Sequence, residues 1–309
     1  LQPSNHSGNS NDFPLYFKFL SMLSVVRGYN IFVVVLAQYL AAIFIFSPEK
    51  SLRFVLLNLH LYFTVLATIC VIAAGYIINN FYDSEADLIN RPFKSKLDRI
   101  VSQTTKLKIY FFLNFVGVLI AYLVSWRAAL FFSSYIFMIW FYSHKLKKYP
   151  LTGLIVGAML SIAPFFAIFV FYKNFSEVIF IHAAFLFFIL LIRELIKDLE
   201  NLKGDLAQNY TTIPVKYGEY FTKLLITILV FLTLNPIYFL FKYPEIGKMS
   251  YYFFVTMGVL LGFLFFLWKA NQKRHYVLLH NVLKLLILAG ILSLTLVDTS
   301  VIIEKLLAL

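Results

Sequence analysis

Asn79, Asp83 and Asp87 stand four residues apart near the end of a long apolar run, so on a helix all three side chains leave the same face. Such a column offers oxygen ligands and, apart from the Asn amide, no donors. It suits a hard divalent cation, Mg2+ before Ca2+, because Mg2+ is held by one or two carboxylates while substrate phosphates complete its shell. Glu85 points elsewhere on that helix and is expected to be solvated. A second acidic stretch, KDLENLKGD at 197–205, sets Asp198 and Asp205 two helical turns apart on one face, with Asn201 between them and Glu200 alongside.

Basic residues lie close to both stretches: Arg91, Lys94 and Lys96 follow the first, and Lys145, Lys147 and Lys148 occupy a separate loop. Two facing carboxylate groups rimmed by cations would hold metal ions and a strongly anionic ligand. A diphosphate fits best, because Mg2+ bridges its oxygens while Arg and Lys take the remaining charge. No G-x-x-x-x-G-K-[ST] phosphate loop is present, so the acids themselves must recruit phosphate through metal. The plainer alternative makes these acids counter-ions for basic loops. The four-residue column together with a second cluster argues against it, since ionisable groups near a membrane interior are functional by default.

The elements that must carry these residues follow from composition. The chain has 309 residues, 61% hydrophobic and only 14% charged, too few polar side chains to cover a soluble globule. Apolar runs of spanning length recur to the C-terminus, which predicts an all-α polytopic bundle of nine transmembrane helices around a central cavity. The spans fall near 29–46, 54–78, 107–125, 128–144, 151–172, 178–197, 220–241, 249–268 and 277–297. Residues 1–28 read as a polar N-terminal tail and interfacial segment, with its first dozen residues disordered and no cleavable signal peptide evident. Residues 29–309 read as one transmembrane domain. Pro164 and Pro236 lie inside spans, and the single cysteine, Cys70, leaves no disulfide framework or cysteine zinc site.

Nine spans place the N-terminus and both acidic stretches on one side. That side carries 19 of the 27 Lys and Arg residues, so it is expected to be cytoplasmic, in a bacterial inner membrane or another cytoplasm-facing membrane. Each acidic stretch follows an even-numbered span, the second and the sixth, an offset that hints at a duplicated four-helix unit.

The first column, continued by Arg91 and Pro92, resembles the first Asp-rich motif of the UbiA superfamily of intramembrane prenyltransferases. KDLENLKGD with the following TIPV, 212–215, is similar to the family's second motif. The form is that of the branch holding digeranylgeranylglyceryl phosphate synthase, chlorophyll synthase and homogentisate prenyltransferases. YSHKLKKYPLTG, 142–153, resembles the family's link between spans 4 and 5. Two positions depart from the pattern, with Asn80 and Asn201 standing where Asp is frequent.

The resemblance implies that Asn79, Asp83, Asp87, Asp198 and Asp205, with Asn201 as a further ligand, position Mg2+. Arg91 and Lys147 would grip phosphate oxygens, with Lys94 and Lys145 behind them. The four aspartates carry the catalytic role in this assignment. Arg27 and Asn30 would reach the same mouth or act as an interfacial anchor and a packing group; Glu200 would supplement the second metal site. The implied partners are an isoprenyl diphosphate donor, such as geranylgeranyl diphosphate, a lipophilic acceptor and membrane lipid, with no nucleic acid. The implied reaction moves the isoprenyl group to the acceptor, a prenylated glycerol phosphate or an aromatic quinone precursor.

His60, His182 and His280 have no second ligand at metal spacing and read as packing or interface residues. His144 reads as an exposed loop residue, and Lys284, inside a span, either snorkels or faces the cavity. A cation-coupled transporter would set its acids near the bilayer midplane on broken helices. These acids lie at one membrane edge beside a basic rim, which favours the enzyme. A non-catalytic lipid-binding scaffold would not need both columns.

Overall fold

The computed structural model describes residues 14–47, 50–172 and 176–297; the tail expected at 1–12 lies outside them. A spanning segment must satisfy its own backbone amides, so the apolar runs fold as helices. In chain order these are α1 (Leu15–Val25), α2 (Gly28–Ala41), α3 (Leu52–Leu56), α4 (Leu59–Asn90), α5 (Pro92–Asp98) and α6 (Gln103–Val124). They continue as α7 (Trp126–His144), α8 (Pro150–Tyr172), α9 (Glu177–Ala207), α10 (Ile213–Leu240), α11 (Ser250–Lys269) and α12 (Lys273–Ser293). No strand occurs among the described residues.

Eight of the helical segments are long and apolar enough to cross a membrane. The nineteen-residue α7 is also of spanning length; Arg127 and its Ser, Tyr and Trp residues hold its hydropathy below the others. With α7 the count agrees with the nine spans read from sequence. The boundaries differ where it matters most. The sequence reading ends two spans at 78 and 197, whereas α4 has 32 residues and α9 has 31. At 1.5 Å per residue both exceed the ~30 Å hydrocarbon core. Both acidic columns therefore ride on rigid continuations of membrane helices.

Proline within a helix leaves the carbonyl four residues earlier without its backbone donor. Both such carbonyls are satisfied. Tyr135 Oη donates to Leu160 O at 2.9 Å opposite Pro164, and Asn235 Nδ2 donates to Leu232 O at 3.3 Å opposite Pro236. Gln38 Nε2 then ties α2 to both neighbours, donating to Thr68 Oγ1 at 3.0 Å and to Pro164 O at 2.9 Å.

α9 forms the axis of the largest core cluster, with Ile189, Ile192, Leu195 and Ile196 fully buried. Its far end meets the far end of α4 through glycine. Asn90 Oδ1 accepts from Gly204 N at 3.1 Å, and a Cβ built on Gly204 would lie 2.2 Å from Asn90 Nδ2. Pro92 explains why α4 stops there: it disfavours helical geometry at Arg91, which leaves the helix at φ −143°. Lys273 Nζ caps the Asn90 carbonyl from the start of α12.

Gly204→Ala is therefore expected to separate the two acidic helices. The expected cost is about 1–3 kcal/mol, since the added methyl meets a short amide already committed to the same contact. Thermal unfolding in detergent checks this, with Lys203→Ala at the exposed neighbouring position as the control.

A polar staple fixes α1, α4, α5 and α6. Asp98, 2% exposed, accepts from Ser24 Oγ at 2.7 Å, Asn80 Nδ2 at 3.0 Å and Lys94 Nζ at 2.6 Å. Lys106, 1% exposed, donates to Asn80 Oδ1 at 3.0 Å.

Candidate active site

Asn79, Asp83 and Asp87 lie on consecutive turns of α4, and Asp198, Asn201 and Asp205 on consecutive turns of α9, as the spacing predicts. The Asn90–Gly204 contact brings the two columns together at one end of the bundle. Between them sits Lys147, from the short turn Leu146–Lys148 that links α7 to α8. Its ammonium pairs with the Asp83 carboxylate and lies 3.4 Å from Asn79 Oδ1.

Two features hold that turn in place. Thr211 donates twice to the Lys148 carbonyl, from N at 2.9 Å and from Oγ1 at 2.8 Å. Gly153 lets α8 approach so closely that a Cβ there would stand 3.0 Å from Lys147 O. Tyr210 N in turn donates to Asp205 O at 2.9 Å, so the loop after α9 joins the second column to the turn. The Tyr210 ring lies under both Lys147 and Lys148, 5.8 and 5.7 Å from their ammonium groups. Burial pushes the Tyr210 hydroxyl above its ordinary pKa, and Asp83, Asp205 and Asp87 push it further. This residue therefore senses acids from both columns. Burial pushes the Lys147 ammonium the other way, below its usual value, and Asp83 opposes that shift.

Whether these residues suit a metal ion is a question of donor chemistry. Among the described residues no three His, Cys, Asp or Glu side chains are grouped closely enough to hold an ion alone. Mg2+ does not require that, since it takes one or two carboxylates with phosphate and water. The donors on both columns are oxygens, and Asn201 Oδ1 is buried without a hydrogen-bond partner. A carbonyl oxygen left bare between two aspartates is what a cation would use, so the set fits.

The remaining expected residues take different places. Arg91 donates to Glu200 Oε1 at 3.0 Å, and Glu200 Oε2 meets His280 Nδ1 at 2.7 Å, which ties α4 to α9 and α12. His280, read from sequence as a packing or interface residue, takes part in this polar bridge. Lys94 is held by Asp98. Lys145 caps α7 and is exposed. Asn30 Nδ2 donates to Tyr76 Oη at 3.2 Å, and the Arg27 guanidinium lies 5.2 Å from the same ring, so both face inward. His144 is exposed, as expected, and stacks on Trp140. Asn80 does not join the column. One residue along a helix turns it about 100° away from Asn79, into the Asp98 staple.

Asn79, Arg91, Lys94, Arg27 and Asn30 border a cavity of about 770 Å3. From Arg27 to Ile45, both lining it, the chain advances 18 positions, roughly 27 Å at helical rise. Phe165, Ile168, Phe185, Leu186 and Ile189 line its apolar part. Tyr76, Tyr135 and Tyr142 add ring faces nearer the acids. Sequence reasoning missed Tyr210, His280, Arg193, Glu194 and Lys197. The last three were legible as ionisable residues at the end of a span, yet their helix face was not.

The family model described as the UbiA prenyltransferase family matches residues 31–287. Digeranylgeranylglyceryl phosphate synthase from Methanobrevibacter smithii is 26% identical over 252 residues, 77% of this chain and 83% of that one. A solved structure of a digeranylgeranylglyceryl phosphate synthase in membranes superposes with a TM-score of 0.68 at 20% identity, covering 90% of this chain and 97% of the other. A UbiA homologue from Archaeoglobus fulgidus bound to GPP and Mg2+ superposes with a TM-score of 0.65 at 14% identity, covering 89% and 99%. At such identities these two structures speak to the fold.

Proposed function

This chain belongs to the UbiA prenyltransferase family and is a membrane prenyltransferase, and on that premise we propose that it transfers a geranylgeranyl-type group from its diphosphate to a prenylated glycerol phosphate. The observation that carries the proposal is the meeting of the α4 and α9 acid columns around Lys147, beside the polar end of a long apolar cavity. The name of the Methanobrevibacter relative supports the choice of acceptor. Sidedness is part of the proposal: the acid end, with most Lys and Arg, faces the cytoplasm.

Asn79, Asp83, Asp87, Asp198, Asn201 and Asp205 would hold Mg2+, which when bound supplies charge neutralisation for the departing diphosphate. Lys147 exchanges the Asp83 carboxylate for a phosphate oxygen, a substitution of one anion for another that leaves its buried charge paired. Arg91 and Lys94 line the cavity wall, each paired with a carboxylate behind it, and present further donors to the same diphosphate. The C–O bond to diphosphate breaks and leaves an allylic cation in the cavity; the acceptor's hydroxyl oxygen bonds to that carbon, and its proton passes to the released diphosphate. The faces of Tyr76 and Tyr142 stabilise the cation, and burial among membrane helices keeps water from quenching it.

Lys147→Met is expected to raise KM for the donor about 10–100-fold, the worth of a hydrogen bond to a charged group, with a smaller change for the acceptor. Steady-state kinetics in detergent or liposomes reads both constants. The acceptor is tested with radiolabelled geranylgeranyl diphosphate and a panel of glycerol-phosphate and aromatic acceptors. Transfer to the prenylated glycerol phosphate supports the proposal; transfer to an aromatic acceptor alone overturns the acceptor assignment and keeps the family activity.

A further inference from the structure

The cavity holds more positive charge than its carboxylates balance. Arg27, Arg91, Lys94, Arg193, Lys197 and Lys284 border it, and among the described residues Glu194 is the only acid that does. Lys197 is paired with Glu194 at 2.6 Å, Arg91 with Glu200 at 3.0 Å and Lys94 with Asp98 at 2.6 Å. Arg27 rests on the Tyr76 ring. That leaves Arg193 and Lys284.

Arg193 reaches Glu194 only at 3.6 Å, on a carboxylate already committed to Lys197, and its Nε is buried without a partner. Lys284 lies eleven positions into α12, exposed and bordering the cavity, with no carboxylate among the described residues paired to it. His280, one turn before Lys284 on the same face, is 6% exposed and borders the cavity. Its Nδ1 is engaged by Glu200, while its Nε2 is buried without a partner. Arg193 and Lys284, from α9 and α12, thus border one cavity with unused donor capacity, while the His280 ring that donates to Glu200 through Nδ1 leaves Nε2 as an acceptor.

This wall is not the diphosphate end. Arg193 precedes Asp198 by five residues on α9, about 8 Å deeper, and Lys284 follows His280 by about 6 Å along α12. Arg193 and Lys197 share the one carboxylate of Glu194 and Lys284 has no paired carboxylate among the described residues, so this wall carries excess positive charge that an anion would offset. A phosphate monoester, carrying about −1.5 to −2 at neutral pH, matches them in charge and in its need for several donors.

We propose that Arg193 and Lys284 form a second anion subsite that binds the phosphate monoester headgroup of the acceptor. The inference deepens the reading given above and rests on it. Binding there sets the acceptor's glycerol hydroxyl beside the donor carbon that loses diphosphate, while its own prenyl chain shares the apolar cavity. It also accounts for a cationic wall that the donor does not need.

The test uses full-length protein with geranylgeranyl diphosphate and two acceptors, a prenylglycerol phosphate and the same prenylglycerol without phosphate. The variants are Lys284→Met, Lys284→Arg and Arg193→Gln. The expected result is a KM for the phosphorylated acceptor raised about 10–100-fold in Lys284→Met and Arg193→Gln. Donor KM stays within about twofold, and Lys284→Arg recovers most of the loss. The wild-type preference for the phosphorylated acceptor collapses in Lys284→Met. Unchanged acceptor KM, equal loss for both acceptors, or a donor KM that rises instead would overturn the proposal. Donor KM serves as the folding control, because a misfolded variant loses both substrates. Absence of wild-type transfer to either acceptor would overturn the acceptor reading itself, which separates the two failures.

Discussion

Asp83→Asn and Asp198→Asn are each expected to lower kcat/KM about 1,000-fold or more, and the double variant to lose little beyond either single one. The reason is that the two acids belong to one unit. Asp83 stands on α4 and Asp198 on α9, and Lys147, Tyr210 and the Asn90–Gly204 contact hold those helices in a single arrangement. Groups that act together on one leaving group give strongly non-additive losses. Asparagine keeps the size and the oxygen of aspartate and removes its charge, so cation affinity falls; thermal unfolding is read alongside for Asp83→Asn, because Lys147 loses its paired carboxylate there. Removing one such electrostatic contributor costs about 10²–10³ in other enzymes. Here the charge also recruits the donor, which adds to the loss. Additive effects would indicate two independent sites.

The second large effect is on stability. Asp98→Ala is expected to destabilise the protein by about 3–5 kcal/mol, the cost of stranding a buried charge by removing its partner. Asp98 accepts from Ser24, Asn80 and Lys94, and its charge lies near the buried ammonium of Lys106, which bonds to Asn80. Without the carboxylate, Lys106 remains 1% exposed with only an amide oxygen for company. Thermal inactivation in detergent should show the loss. The double variant Asp98→Ala/Lys106→Met should recover part of it, because Lys106 then no longer leaves a buried charge without a counter-ion.

These two sites differ in how far the sequence discloses them. The acid columns were legible because helical periodicity alone puts positions 79, 83 and 87 on one face, and the long α4 and α9 preserve that periodicity beyond the membrane. The two interruptions by proline were legible as positions but not in their consequence. Nothing local shows that Tyr135, 25 residues before Leu160, supplies the missing donor. The Asp98 staple was hidden for a different reason. Lys94, Lys106 and Asp98 lie in a stretch that reads as a basic loop, and only tertiary packing buries two of them. Asn80, which stands where the family pattern has Asp, is explained by that packing as the amide joining Lys106 to Asp98.

His280 shows the limit most sharply. A histidine in an apolar run is usually a packing residue, and its partner Glu200 lies 80 positions away on another helix. Lys284 was conspicuous in sequence as a charge inside a span, with snorkelling and cavity-facing both open. The structure sets it at the wall of the cavity that Arg193 also lines. Charge within a span is visible in one dimension; the side it faces is not.

If both acid columns act through Mg2+ to release diphosphate into prenyl transfer, the two products must appear together and only with the metal. The most direct measurement follows wild-type protein in liposomes with labelled geranylgeranyl diphosphate and a prenylglycerol phosphate, in Mg2+ and in excess chelator, counting diphosphate released and prenyl group transferred. Equal amounts of both are expected in Mg2+ and neither in chelator, with activity restored when Mg2+ is returned. Transfer that continues undiminished in chelator would contradict a metal-held diphosphate at these columns.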